Sequence, residues 1–407
     1  MRDLLYLCHR IPYPPDKGDK IRAYHMIEHL RARFRVHLGC FIDDPADAVH
    51  IPALRARVAS LGCIRLDPWH ARLRALLRCR PGAPLVTGYF NDDRLAAWVR
   101  KTVQDHDITQ VIAYSAAMAP YAEIAGIPSR ILDMVDIDSE KFAAYGRTSA
   151  WPKRIVWARE GRTLLAFERA AVPRFDRTLF VSQAERDRFS TLAPESTSRT
   201  MAIGNGVDLA YFAPSAGFAR PFPSGRPVIL FTGAMDYRPN IEAVLWFATT
   251  VMPQLQAQNP LFVIVGSNPA PAVRALERAG AVQVTGRVPD TRPYLAHADL
   301  VVAPLLLGRG VQNKVLEAMA MARPVLASPA AFTGIIAEAG RDLLVAEAAA
   351  DWARLSATVL AGCHPTMGEA ARTAVLRHHS WAQTLAPLDA LLGLAPEPLH
   401  HAEQVSA

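Results

Sequence analysis

Short, wholly apolar runs alternate with amphipathic stretches along nearly all of the chain. Runs at 4–8, 36–41, 63–66, 111–114, 131–134 and 178–182 are too short for helices and lack polar alternation. They predict strands buried on both faces. Helical spacing fills intervals such as 23–33 and 151–171. A second series has strands at 228–233, 261–266, 281–285, 300–305, 325–327 and 343–345, with helices at 241–252, 348–361, 367–376 and 380–392. The runs at 178–182 and 343–345 are expected to finish their respective sheets. Such alternation implies parallel sheets with right-handed crossovers, whose ligands gather beyond the carboxyl ends of the strands. Between the two series, Asn205-Gly206 is a strong turn signal and the proline-rich stretch 214–227 reads as a linker.

Length and composition fit this division. At 407 residues the chain is natural for two domains, and 51% hydrophobic against 20% charged residues suffices to bury two cores. The net charge of +7 owes much to Arg55, Arg57, Arg65, Arg72, Arg74, Arg78 and Arg80. These arginines form either a solvated helix face or a surface for anionic lipid headgroups or a lipid-linked diphosphate. No helix-turn-helix, zinc or aromatic ribonucleoprotein signature accompanies them, so nucleic acid is not an expected partner. Cys8, Cys40, Cys63, Cys79 and Cys363 have no paired spacing, which fits a reduced compartment rather than a zinc site or disulfide frame. The N-terminal apolar run is too short for a signal peptide, and nothing reaches a membrane span. A cytoplasmic protein is expected, resting at most on the inner membrane face. Gly-x-Ser-x-Gly and the Gly-Lys-Ser/Thr phosphate loop are absent, against an α/β-type hydrolase or a nucleoside triphosphatase.

The densest candidate chemistry follows the run at 300–305. Gly308 and Gly310 give a turn that another molecule can approach closely, and a helix is expected from about Val311 until Arg323-Pro324. The backbone N–H groups of Val311, Gln312 and Asn313 then lie at the positive end of a helix, a place for phosphate. Lys314 and Glu317 share one helix face. A cation beside phosphates and a carboxylate one turn deeper suit a nucleoside diphosphate, the carboxylate accepting from ribose hydroxyls. An ordinary glycine loop in an α/β domain is the plainer reading. Earlier, Asp133, Asp136 and Asp138 cluster after a strand, either to hold a cation or an acceptor hydroxyl or to cap the next helix.

The string Lys-Val-Leu-Glu-Ala-Met-Ala-Met-Ala-Arg-Pro-Val-Leu-Ala-Ser, at 314–328, resembles the donor-site segment of retaining glycosyltransferases of family four, which have the two-domain GT-B fold. That segment carries two glutamates. Glu317 matches the second, which by resemblance holds the ribose; the first, the donor-sugar contact, falls on Arg309. By the same resemblance, Ala234 to Asn240, after the strand ending in Gly233, brings cations to the departing diphosphate. Arg238 is available there, while Asn240 stands where a lysine is expected. Arg238, Arg309 and Lys314 are the expected neutralising set. Gly286-Arg287-Val288 resembles the segment holding the nucleobase. Gly18, with Lys17 and Lys20, lies in the loop that faces the diphosphate in that family; a solvated capping loop is the alternative. Residues 14–22 also resemble sugar transferases of exosortase-linked exopolysaccharide systems.

The resemblance implies an α/β chain of GT-B class: two Rossmann-like parallel-sheet domains, 1–202 and 203–379, with a cleft between them. A helix at 380–396 crosses back and a tail follows at 397–407. The expected activity is retaining transfer of a sugar from a nucleotide sugar to a saccharide or polyprenyl-diphosphate-linked acceptor, in exopolysaccharide biosynthesis. Catalytic roles fall to Arg238, Lys314 and Asp136, with neither metal nor cofactor. The alternatives are a silent nucleotide-sugar-binding subunit, or an epimerase or phosphorylase on the same fold.

Overall fold

The computed structural model describes residues 1–16, 18–77, 82–124, 126–215, 217–223, 225–306 and 310–394, and among these thirteen strands, all paired in parallel, form two sheets. The chain divides into two compact units, one of Met1–Ile203 with the residues from Leu385 onward, the other of Gly204–Thr384. In the first, β1 (Arg2–Cys8), β2 (Phe34–Ile42), β3 (Ser60–Arg65), β4 (Gln110–Tyr114), β5 (Ser129–Val135), β6 (Arg177–Phe180) and β7 (Thr200–Ala202) lie in the order β3-β2-β1-β4-β5-β6-β7. In the second, β8 (Val228–Thr232), β9 (Leu261–Val265), β10 (Val282–Gly286), β11 (Leu300–Ala303), β12 (Val325–Ala327) and β13 (Leu344–Val345) lie in the order β10-β9-β8-β11-β12-β13. Each order reverses beside its first strand, so each unit has a topological switch point, β1/β4 and β8/β11, where doubly wound sheets bind ligands. This is the α/β, two-sheet GT-B class expected from the sequence.

The helices that matter below are α1 (Gly18–Arg31), α2 (Pro68–Leu77), α3 (Leu85–Tyr89), α4 (Asp138–Thr148), α5 (Lys153–Ala171), α6 (Arg238–Trp246), α7 (Asn313–Ala320) and α8 (Trp381–Leu391). Helix α1 begins at Gly18, five residues before the pattern placed it. Two long-range ion pairs carry its polar start into the core. Lys20 is buried and donates to Asp47 at 2.8 Å, and Arg22 is fully buried against Asp133, also fully buried, at 2.8 Å. The run at 178–182 does not finish the first sheet; β7 pairs beyond it. Helix α4 was not among the expected elements. It packs along α5 through two glycines: a Cβ on Gly161 would stand 2.9 Å from the Ala143 nitrogen, and one on Gly146 would stand 3.0 Å from that of Ala158. The helix expected at 241–252 is α6, starting at Arg238 and followed by a wider turn over Phe247–Val251 and a tighter one over Met252–Leu255.

The last helix contributes to the first unit through its second half, where Asp389 pairs with His29 at 2.8 Å. Among the described residues, no helix is long and apolar enough to cross a membrane.

Removing one partner of a buried ion pair leaves an uncompensated charge in the core. Asp133→Ala is therefore expected to cost about 3–5 kcal/mol in urea unfolding, and a loss under about 1 kcal/mol would contradict the burial of Arg22.

Candidate functional site

In the second unit, the loops after β8 and β11 flank the switch point. Backbone packing there forces glycine. A Cβ on Gly266 would lie 1.7 Å from the Gly233 carbonyl oxygen, and one on Gly233 would lie 2.7 Å from Asn240 Nδ2 and 2.9 Å from Lys314 Nζ. The ends of β8 and β9 thus touch, and the side chains of α6 and α7 close directly over Gly233. Gly310 has φ +63°, a left-handed turn, and the chain enters α7 through Gln312, which makes no side-chain cap. The helix starts at Asn313 rather than Val311, so Val311 and Gln312 precede it. Asn313 accepts from Asn205 Nδ2 at 3.1 Å, tying the Asn-Gly turn to the helix start.

Helix α7 buries Val315, Leu316, Ala318 and Met319, which leaves Lys314 and Glu317 on its remaining face, both half-buried. Lys314 Nζ donates to Asn240 Oδ1 at 2.7 Å and sits 4.2 Å from the centre of the Phe231 ring. Asn240 is itself buried and donates through Nδ2 to the Ala234 carbonyl at 2.9 Å. Burial brings Lys314 down to about 7, opposed by the charge of Glu317; burial raises Glu317 to about 7, opposed by Lys314. Two oppositely charged groups are thus held near their titration points. An anion at Lys314 restores the missing counter-charge, and a hydroxyl donor at Glu317 favours its ionised form.

Arg238 opens α6, but its side chain is exposed and paired with Glu242 at 2.6 Å. Arg287 is exposed and Val288 half-buried just past β10. Gly308 and Arg309 lie outside the described residues, as does Lys17. Gly18 is the exposed first residue of α1, and a Cβ there would meet open space. Asp136 belongs to the first unit, just after β5. There Val135 takes φ +66°, a strained value for a β-branched residue, and the β5–β6 register shifts. Asp136 Oδ1 is buried with no hydrogen bond among the described residues. Burial first, then the charges of Glu185 and Asp138, raise its carboxyl to about 7.

Three features escaped the sequence reading. Phe231 supplies the ring beside Lys314. Arg292 stacks 3.9 Å from the Tyr211 ring centre and grips Asp290 at 2.8 Å, and the charge of Glu317 reaches Tyr211. At the switch point of the first unit, His9 stacks on Tyr114 with ring centres 5.9 Å apart. Only the Gly-Arg-Val string pointed toward the Asp290 neighbourhood.

The family model described as "Glycosyl transferases group 1" matches residues 226–361, which include β8 to β13 and α7. This stretch therefore carries a glycosyltransferase domain, and it gives the enzyme class of the chain: a glycosyltransferase. No curated protein matches the sequence. Among solved structures, sucrose-phosphate synthase from Thermosynechococcus elongatus is similar at TM-score 0.72 and 18% identity, over 97% of this chain and 98% of that one. HepE from Anabaena, solved with UDP and glucose, is similar at TM-score 0.68 and 18% identity, over 97% and 100%. WaaG, described as a glycosyltransferase involved in lipopolysaccharide biosynthesis, reaches TM-score 0.63 at 15% identity, over 96% and 100%. At these identities the likeness is one of fold.

Residue-resolved titration of Lys314 by lysine side-chain NMR is expected to give a pKa near 7. A value near the 10.5 of a hydrated lysine would contradict its desolvation.

Proposed function

We propose that the chain transfers a glycosyl group from a nucleoside diphosphate sugar to a saccharide or lipid-linked acceptor, with the anomeric configuration retained. The observation that carries this reading is the half-buried Lys314–Glu317 face of α7 beside Gly233, at the switch point of a matched glycosyltransferase domain. Lys314 holds the diphosphate and Glu317 accepts from the ribose diol. The amides of Val311, Gln312 and Asn313 complete the phosphate cradle, and Val288 meets the base through its backbone. The bond from the anomeric carbon to the diphosphate breaks while the acceptor oxygen bonds to the same face. Charge on the departing diphosphate is met by Lys314 and by Arg238 once it leaves Glu242, so no metal is invoked. The acceptor's proton leaves on the departing diphosphate oxygen. HepE has been solved with UDP-glucose, which favours a uridine donor. The involvement of WaaG in lipopolysaccharide biosynthesis, together with the exosortase-type string at 14–22, favours a lipid-linked or exopolysaccharide acceptor made on the cytoplasmic side.

Glu317→Gln is expected to weaken UDP-sugar binding by about ten- to a hundredfold, the worth of charge-assisted hydrogen bonds, with circular dichroism unchanged. Unaltered affinity in calorimetry would remove Glu317 from the site. The pH dependence has a definite sign. Binding needs Lys314 protonated, a condition lost above about 7, and Glu317 ionised, a condition lost below about 7. Affinity is expected to peak near pH 7 and fall on both sides; Glu317→Gln should flatten the acid limb and, by removing the charge that raises Lys314, move the alkaline limb to lower pH. A monotonic profile in the wild type would contradict the pairing. Release of free UDP that depends on added acceptor tests transfer itself.

A further inference from the structure

Two segments of the first unit expose large apolar side chains that the proposed transfer does not use. On α2, Trp69, Leu73, Leu76 and Leu77 fall at spacings of four, three and one, making a single outward stripe; the opposite face buries Ala71 and Ala75. Trp69 is 71% exposed. The second segment leads into α5, where Trp151, 78% exposed, precedes the exposed Ile155 and Val156.

Helix α3 joins the two segments. A Cβ on its Gly88 would stand 3.1 Å from Ala75 Cα on α2. The amides of Leu85 and Val86 at its start donate to Glu160 of α5 at 2.8 and 2.9 Å. Arg159 Nη2 adds a bond to the Ala83 carbonyl at 3.0 Å, one turn from Ile155 and Val156.

Cations outnumber acids around these side chains. Arg72 on α2 and Lys153 and Arg154 at the start of α5 are exposed, and neither α2 nor 151–156 contains an acid. Asp67, just before α2, is turned to His70 at 3.0 Å. Arg74 is drawn inward to Asp92 at 3.3 Å, while Arg78 and Arg80 lie outside the described residues. Exposed tryptophans beside aliphatic side chains and cations, with no acid among them, match the boundary between acyl chains and anionic headgroups. A ten-residue helix is about 15 Å long, fit to lie in that boundary and too short to cross it.

We propose that this face docks on an anionic phospholipid bilayer. Helix α2 lies in the interfacial plane with Trp69, Leu73, Leu76 and Leu77 toward the acyl chains. Trp151 and Ile155 insert beside it, and Arg72, Lys153 and Arg154 meet headgroup phosphates. The proposal is independent of nucleotide binding, since every residue in it belongs to the first unit.

The test is co-sedimentation of the full chain with lipid vesicles, without nucleotide. Wild type is expected to pellet with vesicles containing phosphatidylglycerol, far less with phosphatidylcholine alone, and less as salt rises. Trp69→Ser with Leu76→Ser and Leu77→Ser should lower vesicle affinity at least about tenfold, with melting temperature and UDP binding unchanged. Arg72→Gln with Lys153→Gln and Arg154→Gln should weaken binding to the anionic vesicles only. The proposal is overturned if wild type stays in the supernatant with anionic vesicles, or if both variants pellet as it does. Lipid-free dimers that the apolar variant dissociates would also overturn it, because a second copy would then cover the face.

Discussion

Desolvation of one ammonium group governs the second unit. Lys314 has exchanged most of its water for one amide oxygen and the face of one aromatic ring, which is too little to hold a full positive charge at neutral pH. Its helix is held in place by five buried apolar residues on the other face. Toward the sheet, even a single Cβ on Gly233 would stand 2.9 Å from Lys314 Nζ. A partly buried cation of this kind is costly until an anion arrives, and a diphosphate regains for it the counter-charge that folding withheld. Glu317 is the complementary case, a carboxylate held near its titration point until hydroxyl donors favour its ionised form.

The same economy of backbone space explains why glycine clusters here. Gly233 and Gly266 mark places where two neighbouring strand ends leave no volume for a side chain, and Gly310 takes a left-handed φ that favours glycine. Asn240 belongs to this packing. It bridges the Ala234 carbonyl and Lys314, so a lysine at that position would set a second ammonium against the first. In the first unit, Val135 holds a conformation costly for a branched residue, between a carboxylate that clamps Arg22 and one that has no hydrogen bond at Oδ1.

Most strands were legible because strands buried on both faces spell themselves as continuous apolar runs, and 325–327 matched to the residue. The miss at β7 follows from its composition, since Thr200-Met201-Ala202 is only partly buried and is not a continuous apolar run. The start of α1 was hidden for a different reason. Gly18 to Arg22 looks like a solvated loop unless Asp47 and Asp133, 27 and 111 residues away, are known to receive Lys20 and Arg22. At the site, the spacing of Lys314 and Glu317 fixed their shared face, but nothing local showed that Phe231 lies beside the lysine. Arg238 and Glu242 have the spacing of an i,i+4 ion pair, a local partner that competes with any ligand for the arginine.

The most direct measurement is a crystal structure of the chain with UDP bound. The diphosphate is expected within hydrogen-bonding distance of Lys314 Nζ and of the amides that open α7, with both ribose hydroxyls on the Glu317 carboxylate. Clear density for the nucleotide elsewhere, with Lys314 still held only by Asn240, would contradict the assignment.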